Sequence, residues 1–355
     1  MTLTETAIFF KKYSKWALFG TIAVIILWLL ISYAVATYQQ LYPAQEVPTV
    51  QFGKLTKPAF PAGSSANLSF VLDTIDGNLP KLPTVLPVYP FGPRIPNLTD
   101  LDQAKTLAAG FGFTGGPQKA SAEEYIFTDP TTTAQTLTVN IVDKNFNLAT
   151  TNFQDPTISL TPPPDATDDL IAKARSILSN QNLLPTDLTK SNATVTYKKL
   201  SGSQLVDANS LSEANAARVD IFRDGVAGYD IVGPSKDEAL VHLTLSAQSY
   251  NKKNILEIGY TYWPYYIDGS STYPLEQVAA AWNDLKAGKG TLISPATASF
   301  SEVRIKNITI GYYQAATYQS YLQPIYIFDG EAVSSSNSTT DVRLYLPAVD
   351  PSYLN

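Results

Sequence analysis

The sequence contains no cysteine and a single histidine, His242, among 355 residues. A chain without cysteine has no disulfide framework, thiol nucleophile, thiolate metal site or cysteine-linked lipid. One imidazole also leaves little of the histidine-based catalytic and metal chemistry. Charge is scarce as well, since Asp, Glu, Lys and Arg make up only 16% of the residues, against about a quarter in typical globular domains. The formal net charge is −6, and no basic patch offsets phosphate charge, so the composition speaks against a nucleic-acid partner. In place of charge stand Thr, Ser, Asn and 21 tyrosines, which suit a neutral, hydrogen-bonding outer surface. Hydrophobic residues reach 45%, so domains of this length can hold by burial alone.

Charge is absent altogether from residues 16–38, WALFGTIAVIILWLLISYAVATY. About 20 apolar residues in helical form span a bilayer core, and a helix satisfies its own backbone there. The run therefore predicts a transmembrane helix over 16–38, with Trp16 and Tyr38 in the interfacial aromatic belts and Trp28 inside the span. Lys11, Lys12 and Lys15 precede it, which makes residues 1–15 a cytoplasmic tail and places the rest outside a bacterial cytoplasmic membrane. The rival reading is a signal peptide cleaved after Ala36 in Ala34-Val35-Ala36. A signal peptide's apolar core is about 7–15 residues, shorter than this run.

After the span, residues 39–65 carry widely spaced prolines without a helical or strand period and predict an extended, semi-rigid stalk. The remainder reads as an α+β chain of short helices packed on antiparallel sheets. Pro162-Pro163-Pro164 predicts a boundary between a first domain, 66–160, and a second, 165–355. Helices are expected after Thr99, after Asp165 and after Pro274, with apolar stripes such as Leu170, Ala174, Ile177 and Leu178. Each is followed by strand candidates, so the organisation helix-then-meander recurs three times without residue-level identity.

Patterns that suggest chemistry fail on context. Gly110, Gly112 and Gly115 have the spacing of a dinucleotide fingerprint, but a helix precedes them and Pro117 follows, the reverse of what a phosphate cradle needs. They read as a helix stop. Ser249-Tyr250-Asn251-Lys252 has S-x-x-K spacing, yet it falls between two strands and lacks the companion motifs, so it reads as a polar hairpin tip. His242 has no sequence partner for a triad or a metal. Neighbouring acids (Glu123 and Glu124, Asp168 and Asp169) diverge in direction instead of facing across a cleft. Asp73, Asp76 and Asn78 lack the loop of a calcium site. No catalytic residue, cofactor or metal ligand is expected. The remaining feature is aromatic: Tyr260, Tyr262, Trp263, Tyr265 and Tyr266 form a candidate binding surface, while the alternative is that tyrosine fills the half-buried face of a sheet.

Tyr273-Pro274-Leu275 through Ala281-Trp282-Asn283-Asp284-Leu285-Lys286-Ala287-Gly288, with Ile308–Tyr313 and Tyr321–Tyr326, resembles the C-terminal module of YycH/YycI-type proteins. These are membrane-anchored regulators of a bacterial two-component system, and the helix-plus-meander shape is also similar to PepSY-like domains. The resemblance covers mainly residues 165–346. It implies a non-enzymatic, single-pass membrane protein whose outer domains act by protein–protein contact on a membrane sensor or envelope-assembly partner. Two alternatives remain open: a cell-wall glycan-binding protein using surface tyrosines, and an exported hydrolase using a carboxylate pair brought together by folding.

Overall fold

A computed structural model describes residues 21, 24–33, 47–160, 166–295, 300–333 and 339–355. The chain divides into two compact units, Met1–Val47 and Pro48–Asn355. In the first, residues 24–33 are helical with exposed apolar side chains, Trp28 among them. Trp16 and Tyr38, and with them both ends of the expected span, lie outside the described residues. Among the described residues no helix is long and apolar enough to cross a membrane.

The second unit is α+β, as expected, and mostly antiparallel. Its nine-stranded sheet runs in the order β3 (Gly115–Lys119), β4 (Glu124–Asp129), β5 (Thr132–Asn140), β6 (Phe146–Thr150), β12 (Ile255–Tyr260), β11 (Val241–Leu245), β9 (Ala216–Ile221), β7 (Ala193–Ser201), β8 (Gln204–Asp207). Two helices, α1 (Asp100–Gly110) and α2 (Thr167–Asn180), pack on one face. Ala104 and Ala108 of α1 and Leu170, Ala174 and Leu178 of α2 meet Leu137, Leu148, Val219, Leu243 and Ile258 in the core. That is the outcome of a helical apolar stripe meeting the alternate residues of strands. Each helix opens one unit, and the units join through their last strands, where β6 pairs antiparallel with β12.

The other sheet has eight strands, with the main path β1 (Ser69–Leu72), β15 (Glu302–Tyr313), β16 (Tyr321–Val333), β17 (Thr339–Pro347), β14 (Thr291–Ser294). To it belong β2 (Val85–Pro90), which pairs β16 and β13 (Ser271–Pro274), and the short β10 (Ile231–Val232), parallel to β15. Helix α3 (Val278–Lys286) sets Ala281, Trp282 and Leu285 against Val303, Ile308, Phe328 and Leu344. It ends at Gly288, whose φ of 78° is the left-handed conformation that glycine adopts without strain. Pro274, expected to open this helix, instead closes β13.

Two expectations are corrected. The proline run at 162–164 lies outside the described residues, but the domains expected on its two sides, 66–160 and 165–355, share one sheet, because β6 and β12 are hydrogen-bonded neighbours. The true nesting is different: all nine strands of one sheet fall within residues 115–260, a stretch that sends only β10 to the other sheet, and the strands flanking it, β2 and β13, pair with each other. Nor is the described portion of the expected stalk free-standing. Leu55 is fully buried with Val88, Tyr273, Val349 and Leu354, and Phe60 packs on Tyr313 and Tyr345 of the eight-stranded sheet. An extended, proline-rich backbone leaves its carbonyls unpaired, and here side chains supply the donors. Tyr273 Oη donates to Gly53 O at 3.0 Å, Gln323 Nε2 to Thr56 O at 2.8 Å and Tyr313 Oη to Ala59 O at 3.0 Å.

Candidate functional site

The aromatic run follows β12 and carries the chain from one sheet to the other. Tyr260 and Trp263 are buried at 7% and 6% exposure, Tyr262 and Tyr265 are half-buried, and only Tyr266 is exposed. Four of the five rings are therefore packed inward, against the expectation of a binding surface. Tyr260 stacks on Phe146 with centroids 5.2 Å apart, and Trp263 meets Tyr318 edge-on at 5.4 Å. Trp263 Nε1 donates to Ala315 O at 3.2 Å.

The centre of this joint is Arg223, whose side chain is 6% exposed. Its guanidinium lies 4.3 Å from the Tyr262 ring centroid and 5.1 Å from that of Tyr265. Its Nε donates to Asp187 Oδ2 at 2.7 Å, and its Nη1 donates to Trp263 O at 2.9 Å and to Gln314 Oε1. Tyr262 Oη donates to Asp187 Oδ1 at 3.0 Å, so one carboxylate holds both the cation and the ring above it. Gln314 Nε2 reaches back to Thr261 O at 3.1 Å. A planar fork that also stacks on rings is a use to which lysine is not suited. Burial pushes the Tyr260 and Tyr262 hydroxyls well above the usual tyrosine range.

Beside the joint opens a cleft of about 370 Å³, a size within the range of small-ligand sites. Its walls are Glu124, Thr138 and Asn140 from β4 and β5, Asp143 and Asn145 from the β5–β6 turn, and Phe146 and Asn147 from β6. Arg94, Thr261, Trp263 and Ala316–Tyr318 complete it. Arg94 donates to Asp143 and to Glu123, and its guanidinium lies 5.5 Å from the Tyr318 ring centroid. The Asp143 side chain is 7% exposed. Burial raises its carboxyl above the usual range, outweighing the opposing hydrogen bond from Arg94. The Asn145 amide is oriented by Tyr262, whose backbone N–H donates to Asn145 Oδ1 at 2.9 Å. The Nδ2 group of Asn145 is buried and finds no acceptor among the described residues, a condition that costs about 1–3 kcal/mol. No local signal pointed to this constellation, because Arg94 lies 29 residues from Glu123 and 49 from Asp143.

The other singled-out residues keep structural roles. Gly110 is the last residue of α1, Gly112 has φ of 87°, and Gly115 opens β3, so the glycines stop a helix. Ser249 and Lys252 bridge across a tight turn at Asn251, which has φ of 55°. His242 faces Gly259 of β12 and Asp220 of β9, and its Nδ1 lies 3.1 Å from Ala239 O. Burial, helped by nearby Arg218, holds its pKa below the ordinary value of 6.5. Asp168 and Asp169 sit in the first turn of α2, where the helix dipole favours acids. Among the described residues no group of three or more His, Asp or Glu side chains is placed to hold a metal ion.

No family model and no curated protein matches the sequence. Among solved structures, an uncharacterized protein from Eubacterium rectale is similar at 10% identity and a TM-score of 0.34, over 74% of this chain and 83% of that one. A likeness of that size bears on neither fold nor function.

Proposed function

We propose that the chain is a single-pass, membrane-anchored protein of the bacterial cell envelope, with its folded unit outside the membrane, acting by non-covalent contact with a partner protein and not by catalysis. The charge-free run at 16–38 and the lysines before it support the anchor and its direction. The resemblance of the last helix and meander to YycH/YycI-type regulators supports a membrane protein as the partner.

The observation that carries a binding role is the face of the nine-stranded sheet opposite α1 and α2. Phe153 and Ile158 cover its end at Ala134, Ala216 and Leu256. Beyond that end the register lines up polar or small residues across six strands: Thr138, Asn147, Gly259, His242, Asp220 and Thr194. Antiparallel sheets commonly leave one face to solvent, and this one is hydrogen-bonding, with Thr194 and Asn147 exposed while Asp220 is buried in its pair with Arg218. The test is a photoreactive residue at Thr194 or Thr196 in intact cells, with Asp168 on α2 as the control. Repeated capture of one membrane or envelope protein from β7 and not from α2 is expected. Equal capture from both positions, or from neither, overturns the reading.

A second reading rests on Asp143 and Glu123, which folding brings to one guanidinium. An exported hydrolase needs a carboxyl with a raised pKa in a cleft, and Asp143 is such a group. Turnover of an envelope polymer that Asp143→Asn abolishes would replace the binding reading with this one.

A further inference from the structure

We infer that the cleft between the β5–β6 turn and residues 316–318 is a binding site for a neutral saccharide. The inference goes beyond the partner-protein reading, which is tested at Thr194 and Thr196 on the far side of the same face, although the two share Thr138 and Asn147.

Three observations select the ligand. First, the cation of the cleft is already matched: Arg94 is held by Asp143 and Glu123, so an anion entering the cleft meets no unpaired positive charge. Second, beside the exposed carboxylate of Glu124 the cleft offers amides and hydroxyls, among them Thr138, Asn145, Asn147 and Thr317. Both donors and acceptors are on offer, which matches a ligand whose hydroxyls do both. Third, the half-buried Tyr318, backed by the buried Trp263, contributes ring surface to the same walls. A pyranose presents C–H faces beside its ring of hydroxyls, and aromatic carbon is the complement of those faces. The buried Nδ2 of Asn145 points the same way. Its partner oxygen is fixed by the Tyr262 amide and the nitrogen, sealed beneath the wall to which Asn145 belongs, lacks an acceptor; a sugar hydroxyl that displaces this cover supplies one.

The test uses the full chain in detergent micelles, with cellotetraose and an N-acetylglucosamine tetramer as probes in calorimetry. At least one probe is expected to bind saturably. Asn145→Asp keeps the oxygen that receives the Tyr262 N–H, turns the donor into an acceptor and adds a negative charge, and should weaken binding at least about tenfold, the value of one lost hydrogen bond. Thr317→Trp, on an exposed loop, should fill the cleft and abolish binding while leaving the melting temperature unchanged. Co-sedimentation with purified wall polymer then separates the sources: pelleting identifies an envelope glycan, and tetramer binding without pelleting a soluble sugar. Absence of binding by both probes, or binding that survives both substitutions, overturns the site. New reducing ends in the incubation would support the site and overturn the non-enzymatic reading, so the two fail separately.

Discussion

Several buried or half-buried tyrosine hydroxyls in this protein donate to backbone carbonyls, most of them in irregular chain. Tyr312 donates to Pro87 O at 2.7 Å, Tyr318 to Gly92 O at 3.2 Å and Tyr326 to Glu276 O, beside the Tyr273 and Tyr313 bonds to residues 53 and 59. A ring that buries large area and carries a donor at its tip suits a sheet that must hold proline-rich segments. Tyr313→Phe keeps the ring and strands the Ala59 carbonyl, so a loss of about 1–2 kcal/mol is expected in denaturant unfolding. Arg223→Lys should cost more, about 2–4 kcal/mol, because a buried pair loses its fork and its stacking together, and the same unfolding curve reads it. The tyrosines also set an alkaline limit. Burial pushes Tyr326 and Tyr345 up to about 12 from an ordinary value of 10.0. The folded state therefore retains protons that the unfolded state gives up, so their stabilisation is complete below pH 10 and is lost as pH rises toward the folded values. The last part of the tyrosinate absorbance should accordingly rise in step with loss of circular dichroism. Ionisation of all 21 tyrosines ahead of unfolding would contradict the burial.

At the level of elements, the close pairing of β15 and β16 is the tightest constraint. A Cβ on Gly330 would strike the Arg304 carbonyl oxygen of the neighbouring strand, beside the register shift between Ile305 and Asn307. Backbone has nowhere to go, so Gly330→Ala should destabilise by about 1–3 kcal/mol, read as a lowered melting temperature. The recurrent plan of helix then meander was legible in the sequence, because periodicities of 3.6 and 2 report local burial. Leu170, Ala174 and Leu178 are buried as their spacing required. Local pattern fails where a strand exists only through its neighbours. β3 reads GGPQK and owes its extension to β4, while β2 and β13 contain Pro87, Pro90 and Pro274, which argue against a strand on local grounds. The cleft failed for the same reason on a larger scale: the Asp143–Asn145 turn was readable, whereas its meeting with Arg94 and Tyr318 is a product of the nesting.

For the whole molecule, that nesting governs what can be removed. The unit Pro48–Asn355 has its own cores and includes every residue that pairs with β13. A chain beginning at Pro48 should therefore fold with an unchanged melting temperature, and under the proposed anchoring the full chain should fractionate with membranes while the shortened chain should not. Retention of the shortened chain in membranes would count against residues 16–38 as the anchor. The course of residues 49–60 has one more consequence. In chain order, Val50 N donates to Thr272 O at 3.1 Å, the Gly53 carbonyl accepts from Tyr273, Leu55 N donates to Tyr353 O at 2.8 Å, and the carbonyls of Thr56 and Ala59 accept from Gln323 and Tyr313. These bonds are strung in series along the chain, so a pull arriving from residue 47 loads them one at a time. Under tension the segment would peel stepwise and leave the sheet's own strand pairs for last, a graded mechanical release built from tyrosines.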